Sequence, residues 1–172
     1  MEFLSGHELA QIDKQGRIVI PAAFRAPLKE EFYAFPDSRY AEGCLVLAPR
    51  EWFEVMAADL KRRIRVLREK ASAELDEQLL ARADKWIAAY QYLLGSSKLL
   101  KMDGQGRVVL PESLLRIVGL NREMRVIVAG MGEVVKLWSQ DAWKRFRSEV
   151  TGYYRFLLTS GELGGKGKGV TP

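Results

Sequence analysis

The chain has 172 residues, enough for one ordinary domain or two small intertwined halves. Hydrophobic residues make up 48% and charged residues 28%, a soluble globular balance that excludes collagen-like and disordered classes, and no stretch approaches the roughly 18–20 apolar residues of a spanning helix. The formal charge is +5, yet residues 61–70 alone hold six bases against one acid, so the basic balance points to that segment and does not by itself argue for a polyanionic partner.

From the N-terminus, Met-Glu-Phe-Leu-Ser-Gly has neither the basic start nor the apolar run of a signal peptide. With the lone cysteine, Cys44, this predicts a reducing cytosol. Residues 9–21, LAQIDKQGRIVIP, read as strand, tight turn and strand. Asp13 can accept backbone N–H groups two residues on, and Gly16 supplies positive φ without a steric cost. Ile18-Val19-Ile20 is β-branched and strand-like, and Pro21 suits the first position of a short helix over Ala22–Leu28. Residues 33–39 make a poor strand, because Pro36-Asp37 interrupts them. Gly43 precedes the strand Leu45-Val46-Leu47, and Pro49 then opens a helix through Trp52 and Phe53.

Phe53, Met56, Leu60, Ile64 and Leu67 follow helical spacing, as do Leu75, Leu79, Ala83, Trp86, Ile87 and Tyr90. They predict two antiparallel amphipathic helices with Ser72 as the cap between them. Lys61, Arg65 and Arg68 share a face there. That face is either merely solvated or a non-specific phosphate surface.

Residues 99–111, LLKMDGQGRVVLP, repeat residues 9–21 at an offset of 90. Leu9, Asp13, Gln15, Gly16, Arg17, Val19 and Pro21 recur as Leu99, Asp103, Gln105, Gly106, Arg107, Val109 and Pro111, and four further pairs swap one apolar residue for another. Pro111 opens a helix that Gly119 ends in a left-handed cap. Strands at 126–128 and 134–137 flank Gly130-Met131-Gly132, and Ser139 caps a helix containing Asp141, Trp143 and Phe146. Each half therefore reads hairpin, short helix, strand, strand, helix. Residues 161–172 are glycine-rich and predict a disordered tail.

Arg17 and Arg107 leave tight turns as planar forks that can bond phosphate or the O6 and N7 atoms of guanine. Alternatively, each pairs with its own Asp13 or Asp103 and fixes the turn. Lys14 sits at the hairpin tip as a phosphate contact or a solvated lysine. Gln15 and Gln105 read a base edge or fill a polar turn position. Arg25, on the short helix, contacts phosphate or is surface. Nothing suggests an enzyme. His7 stands alone, no His/Cys cluster has metal-ligand spacing, and Gly-Gly-Lys-Gly-Lys-Gly lacks phosphate-loop spacing. Cys44 and the tryptophans Trp52, Trp86, Trp138 and Trp143 read as core. No cofactor, membrane or small-molecule substrate is expected.

The two motifs Asp13-Lys14-Gln15-Gly16-Arg17 and Asp103-Gly104-Gln105-Gly106-Arg107, each followed by an apolar trio and a proline, resemble the MraZ family of the AbrB/MazE-like superfamily. Phe3, Gly6 and Trp138 extend the resemblance over roughly residues 1–150. It implies an α+β fold: a double-split, swapped-hairpin β-barrel formed by two internal repeats, with flanking and inserted helices. The expected division is a first repeat at 1–60, a helical insert at 61–95, a second repeat at 96–158 and the tail at 159–172. The resemblance further implies a ring-forming homo-oligomer, cytoplasmic and nucleoid-associated, that binds direct repeats in double-stranded promoter DNA and controls the division and cell-wall gene cluster. Two other readings are an antitoxin-like module binding DNA and protein, and a ring-forming scaffold for an acidic partner. The family often has one residue between the initial phenylalanine and glycine, where this chain has Leu4-Ser5, and an acidic residue before the last tryptophan, where it has Val134-Val135-Lys136-Leu137.

Overall fold

The computed structural model describes residues 4–159; Phe3 and the tail from 160 onward lie outside the described residues. The elements in chain order are β1 (His7–Gln11), β2 (Arg17–Val19), α1 (Ala22–Leu28), β3 (Glu31–Pro36), β4 (Cys44–Pro49), α2 (Arg50–Glu74) and α3 (Glu77–Ser96). Then follow β5 (Lys98–Lys101), β6 (Arg107–Val109), α4 (Glu112–Ile117), β7 (Arg125–Gly130), β8 (Val135–Ser139) and α5 (Gln140–Thr159). The class is α+β, as the sequence predicts. The strands make an antiparallel six-stranded sheet in the order β1-β7-β8-β4-β3-β5 and a separate ribbon, β2-β6. The larger sheet is open, with β1 and β5 at its edges.

The halves exchange strands. β1 of the first half pairs with β7 of the second, with Leu9 opposite Ile127. β5 of the second half pairs with β3 of the first, with Leu100 opposite Phe32. Each hairpin thus leaves its own half to complete the other's sheet edge, and neither repeat can bury its strands without its twin.

Period-two alternation sends the strands' side chains to two sides. Phe32, Ala34, Leu45, Leu47, Val126, Val128, Val135 and Leu137 face a core closed by Ile18 and Val108 of the ribbon and by Phe24, Leu114 and Leu115 of the short helices. Burying each of the larger of these side chains contributes about 1.5–3 kcal/mol. The opposite face of the sheet meets the long helices. Phe35, Val46 and Ala48 pack on Phe53 and Ala57 of α2, while Cys44 and Trp138 pack against Ala142 of α5. The lone histidine, His7, rests its ring 5.2 Å from that of Trp143. The Cys44 thiol is buried, which pushes its pKa well above the usual range and makes it inert.

Several local expectations are corrected. Residues 31–36 form a full interior strand, because Pro36 is its last residue and the turn that follows is well satisfied. Asp37 N–H donates to the Cys44 carbonyl at 3.1 Å, its Oδ1 accepts from the N–H groups of Arg39 and Tyr40, and its Oδ2 accepts from Lys136. Ser72 does not cap anything, since α2 runs unbroken to Glu74. The cap is Asp76, whose side chain accepts from Leu79 N–H at 2.9 Å, and Leu75 makes the link in a left-handed conformation. Pro21 and Pro111 precede their helices rather than begin them, with ψ of 142° and 140°. Ser139 does cap α5, its hydroxyl accepting from Ala142 N–H at 3.1 Å. Among the described residues, no helix is long and apolar enough to cross a membrane.

Candidate nucleic-acid interface

The two hairpin turns are built by the same bonds. In the first, Asp13 N–H donates to the Arg17 carbonyl at 2.8 Å and Gly16 N–H to the Asp13 carbonyl at 3.0 Å. Asp13 Oδ1 accepts from the N–H groups of Gln15 at 2.9 Å and Arg17 at 2.8 Å, and Oδ2 accepts from Arg17 Nε at 2.7 Å. In the second, Asp103 repeats each role for Gln105 and Arg107, with both Oδ1 bonds at 2.9 Å and the Nε bond at 2.7 Å. The glycines sit at φ +78° and +81°, where a side chain is disfavoured. The Arg17 backbone N–H is the largest influence holding the Asp13 carboxyl below its usual range, and the Arg107 N–H does the same for Asp103.

The arginines therefore do pair with their own aspartates, but only through Nε. Their side chains remain 45% and 46% exposed. Arg17 Nη2 donates to Gln15 Oε1 at 3.2 Å, whereas the terminal nitrogens of Arg107 make no hydrogen bond among the described residues. The aspartate orients each fork; the far edge of Arg107 is open to an acceptor, and that of Arg17 is shared with Gln15.

The ribbon brings the two motifs together. Arg17 lies opposite Val109, Ile18 opposite Val108 and Val19 opposite Arg107. Ile20 N–H donates to the Gly106 carbonyl and Leu110 N–H to the Gly16 carbonyl, both at 2.8 Å, so each turn accepts a bond from the other hairpin. Ile18 and Val108 point into the core. Arg17, Val19, Arg107 and Val109 form the outer face, where the valines are 50% and 58% exposed. Arg17 and Arg107 occupy a cross-strand diagonal, a spacing of roughly 7–8 Å. The apolar trios read as uniform strand sequence, and nothing but the register tells which member is exposed.

The remaining candidates separate. Lys14 projects from the first tip, with its ammonium only loosely paired to Glu123 at 3.8 Å, and its carbonyl accepts from Arg122 at 3.4 Å. That arginine, on the loop before β7, was not apparent from sequence because the contact spans the two halves. Gln105 is exposed, and its side chain makes no hydrogen bond among the described residues. Arg25 is half-buried and inward: its Nε donates to the Ile20 carbonyl at 2.7 Å, against Gly106. Its counterpart at the 90-residue offset is Leu115, a core residue, so the two hairpins are not equally supported. In the basic segment, Arg62 and Arg63 both bind Asp59. No group of three or more metal-binding side chains occurs among the described residues.

A family model described as "MraZ protein, putative antitoxin-like" matches residues 93–152, which hold the second hairpin. A Bacteroides fragilis protein named Transcriptional regulator MraZ is 30% identical over 148 residues, covering 82% of this chain and 79% of its own length. The chain belongs to the MraZ family. Relatives with the same name occur in Syntrophomonas wolfei, 29% identical over 83% of this chain and 85% of the relative, and in Natranaerobius thermophilus, 28% identical over 81% and 82%. These relatives cover more than four fifths of the chain, well beyond the 93–152 segment that the family model matches.

Proposed function

We propose that this MraZ-family chain is a non-enzymatic, sequence-specific regulator of transcription that reads double-stranded DNA with the β2–β6 ribbon. The name borne by its relatives supports regulation of transcription. One observation carries the mode of reading: two exposed arginine forks, each held by its own aspartate, share the outer face of one two-stranded ribbon. A major groove about 12 Å wide admits such a ribbon. The forks stand about two base steps apart, and each suits the paired acceptors of a guanine or a phosphate. Val19 and Val109 between them suit thymine methyl groups. Lys14 contacts the flanking phosphate, Gln15 and Gln105 border the base edges, and Asp13, Gly16, Asp103 and Gly106 hold the turns. Arg25 supports the second turn from behind.

The strand exchange between halves supports a double-split, swapped-hairpin barrel as the parent architecture. One ribbon covers only a short element, so affinity requires several copies. A ring oligomer on direct repeats in the gene's own promoter region meets that need through avidity. Such a protein works in the cytoplasm on the nucleoid.

The test is binding to duplex DNA from the gene's own upstream region across a salt series. Wild type is compared with Arg17→Ala, Arg107→Ala and a Lys61/Arg65/Arg68 triple alanine variant, each checked for intact fold and assembly. Loss of specific binding in the arginine variants supports the ribbon. Loss confined to the triple variant refutes it.

A further inference from the structure

The α2–α3 hairpin extends well beyond the body. Its last contacts with the sheet's outer core are Ala57 on α2 and Tyr90 on α3. Between those points the helices hold only each other, burying Ile64, Ala71 and Ala83. Two helices alone cannot enclose their apolar side chains, and this pair leaves two distinct features uncovered.

One is a groove of about 360 Å³ between the helices. Val66, Leu67 and Trp86 floor it, and Arg62, Arg63 and Lys70 rim it. The other is the tip. Leu75 is 86% exposed and sits at φ +53°, ψ +35°, a left-handed conformation that glycine or asparagine ordinarily takes. A leucine there strains the backbone and exposes an apolar side chain for no local return. Glu74, Asp76 and Glu77 flank it along the chain.

We infer that the hairpin docks onto the hairpin of a second copy, with Leu75 of each seated in the groove of the other. The two surfaces are complementary in both respects: an apolar knob with an acidic collar meets an apolar floor with a basic rim. Groove against groove would oppose bases, and tip against tip would oppose acids. Knob into groove matches, and made reciprocally it is the self-complementary contact that two-fold symmetry generates. The Lys70–Glu74 pair within one chain is loose, at 3.9 Å and exposed, and leaves Lys70 available to a partner's acid. The root of the hairpin packs on the sheet face opposite the ribbon, so docking leaves the DNA surface open. The contact is independent of the DNA reading. It links copies two by two, apart from any ring.

Cysteine cross-linking tests this directly in the full chain. Val66→Cys and Leu75→Cys are made separately, both at exposed positions. Each molecule then carries only one of the two introduced cysteines, so a disulfide between them must join two molecules. The native Cys44 is buried. The expected result is a disulfide-linked dimer in an oxidised mixture of the two variants and not in either alone. No dimer in the mixture, or equal dimer in the single variants, overturns the proposal. In parallel, Leu75→Gly relieves the backbone strain, keeps the hairpin folded and halves the mass of the linked species by light scattering. An unchanged mass overturns the proposal. So does loss of upstream-DNA binding in a Lys70→Glu variant that retains wild-type mass, because it would make the groove a phosphate surface. Restoration of the mass by combining Lys70→Glu with Glu77→Lys supports it.

Discussion

Arg25 lies against Gly106 of the opposite hairpin so closely that a methyl group on that glycine would stand 2.2 Å from the arginine Nε. The bond from the same Nε to the Ile20 carbonyl fixes the guanidinium there. One side chain from the first half therefore braces the turn that presents Arg107.

Gly106→Ala must both adopt φ +81° and displace Arg25. It should destabilise the protein by about 1–3 kcal/mol, a fall of roughly 2–4 °C per kcal/mol for a chain of this size. Thermal unfolding by circular dichroism measures it. Arg25→Ala should weaken DNA binding while leaving its salt dependence unchanged, since the brace touches no phosphate. A shallower salt slope would make Arg25 a phosphate contact instead.

Removing one fork should cost about 1–3 kcal/mol of discrimination for the specific element. Arg17→Ala and Arg107→Ala should each lose that much, by titration of labelled duplex, with non-specific binding far less affected. Arg17→Lys should not rescue, because an ammonium lacks the planar fork held by Asp13.

The second tip carries Gly104 where the first carries Lys14. A side chain at Gly104 meets nothing within 4 Å, and its backbone does not require glycine. Gly104→Lys should fold normally and steepen the dependence of log affinity on log salt by about one phosphate contact. An unchanged slope would place the second tip away from the DNA backbone.

Asp13 and Asp103 have their carboxyls held below the usual value of 3.8, chiefly by the N–H groups of Arg17 and Arg107. A depressed folded value means the stabilisation is present above the unfolded value and lost as pH falls through the folded one. The turns should therefore be indifferent to pH between about 6 and 8, well above the ordinary range of an aspartate. They should loosen only below the usual value of 3.8. The paired variant Asp13→Asn/Asp103→Asn should flatten that acid limb in hairpin-specific hydrogen exchange. Loosening near neutral pH would contradict the assignment.

The sequence determined whatever depends on a few neighbouring residues. The Asp-x-x-Gly-Arg turns form from bonds spanning at most four positions, so their geometry and their repetition were readable directly. The short helices after each proline and the Ser139 cap are local in the same sense. Competition between local signals misled twice. Pro36-Asp37 ends a strand rather than breaking it, because Asp37 finds a lysine 99 residues away. Asp76 captures the cap expected of Ser72, because the α2 packing carries that helix to Glu74. Tertiary structure alone decided that Arg17 and Arg107 share a face, that their valines are exposed, and that Arg25 faces inward. Those outcomes depend on the pairing of β2 with β6 across about ninety residues. No local preference encodes that register. It follows from the core, which accepts Ile18 and Val108 together and turns both arginines outward.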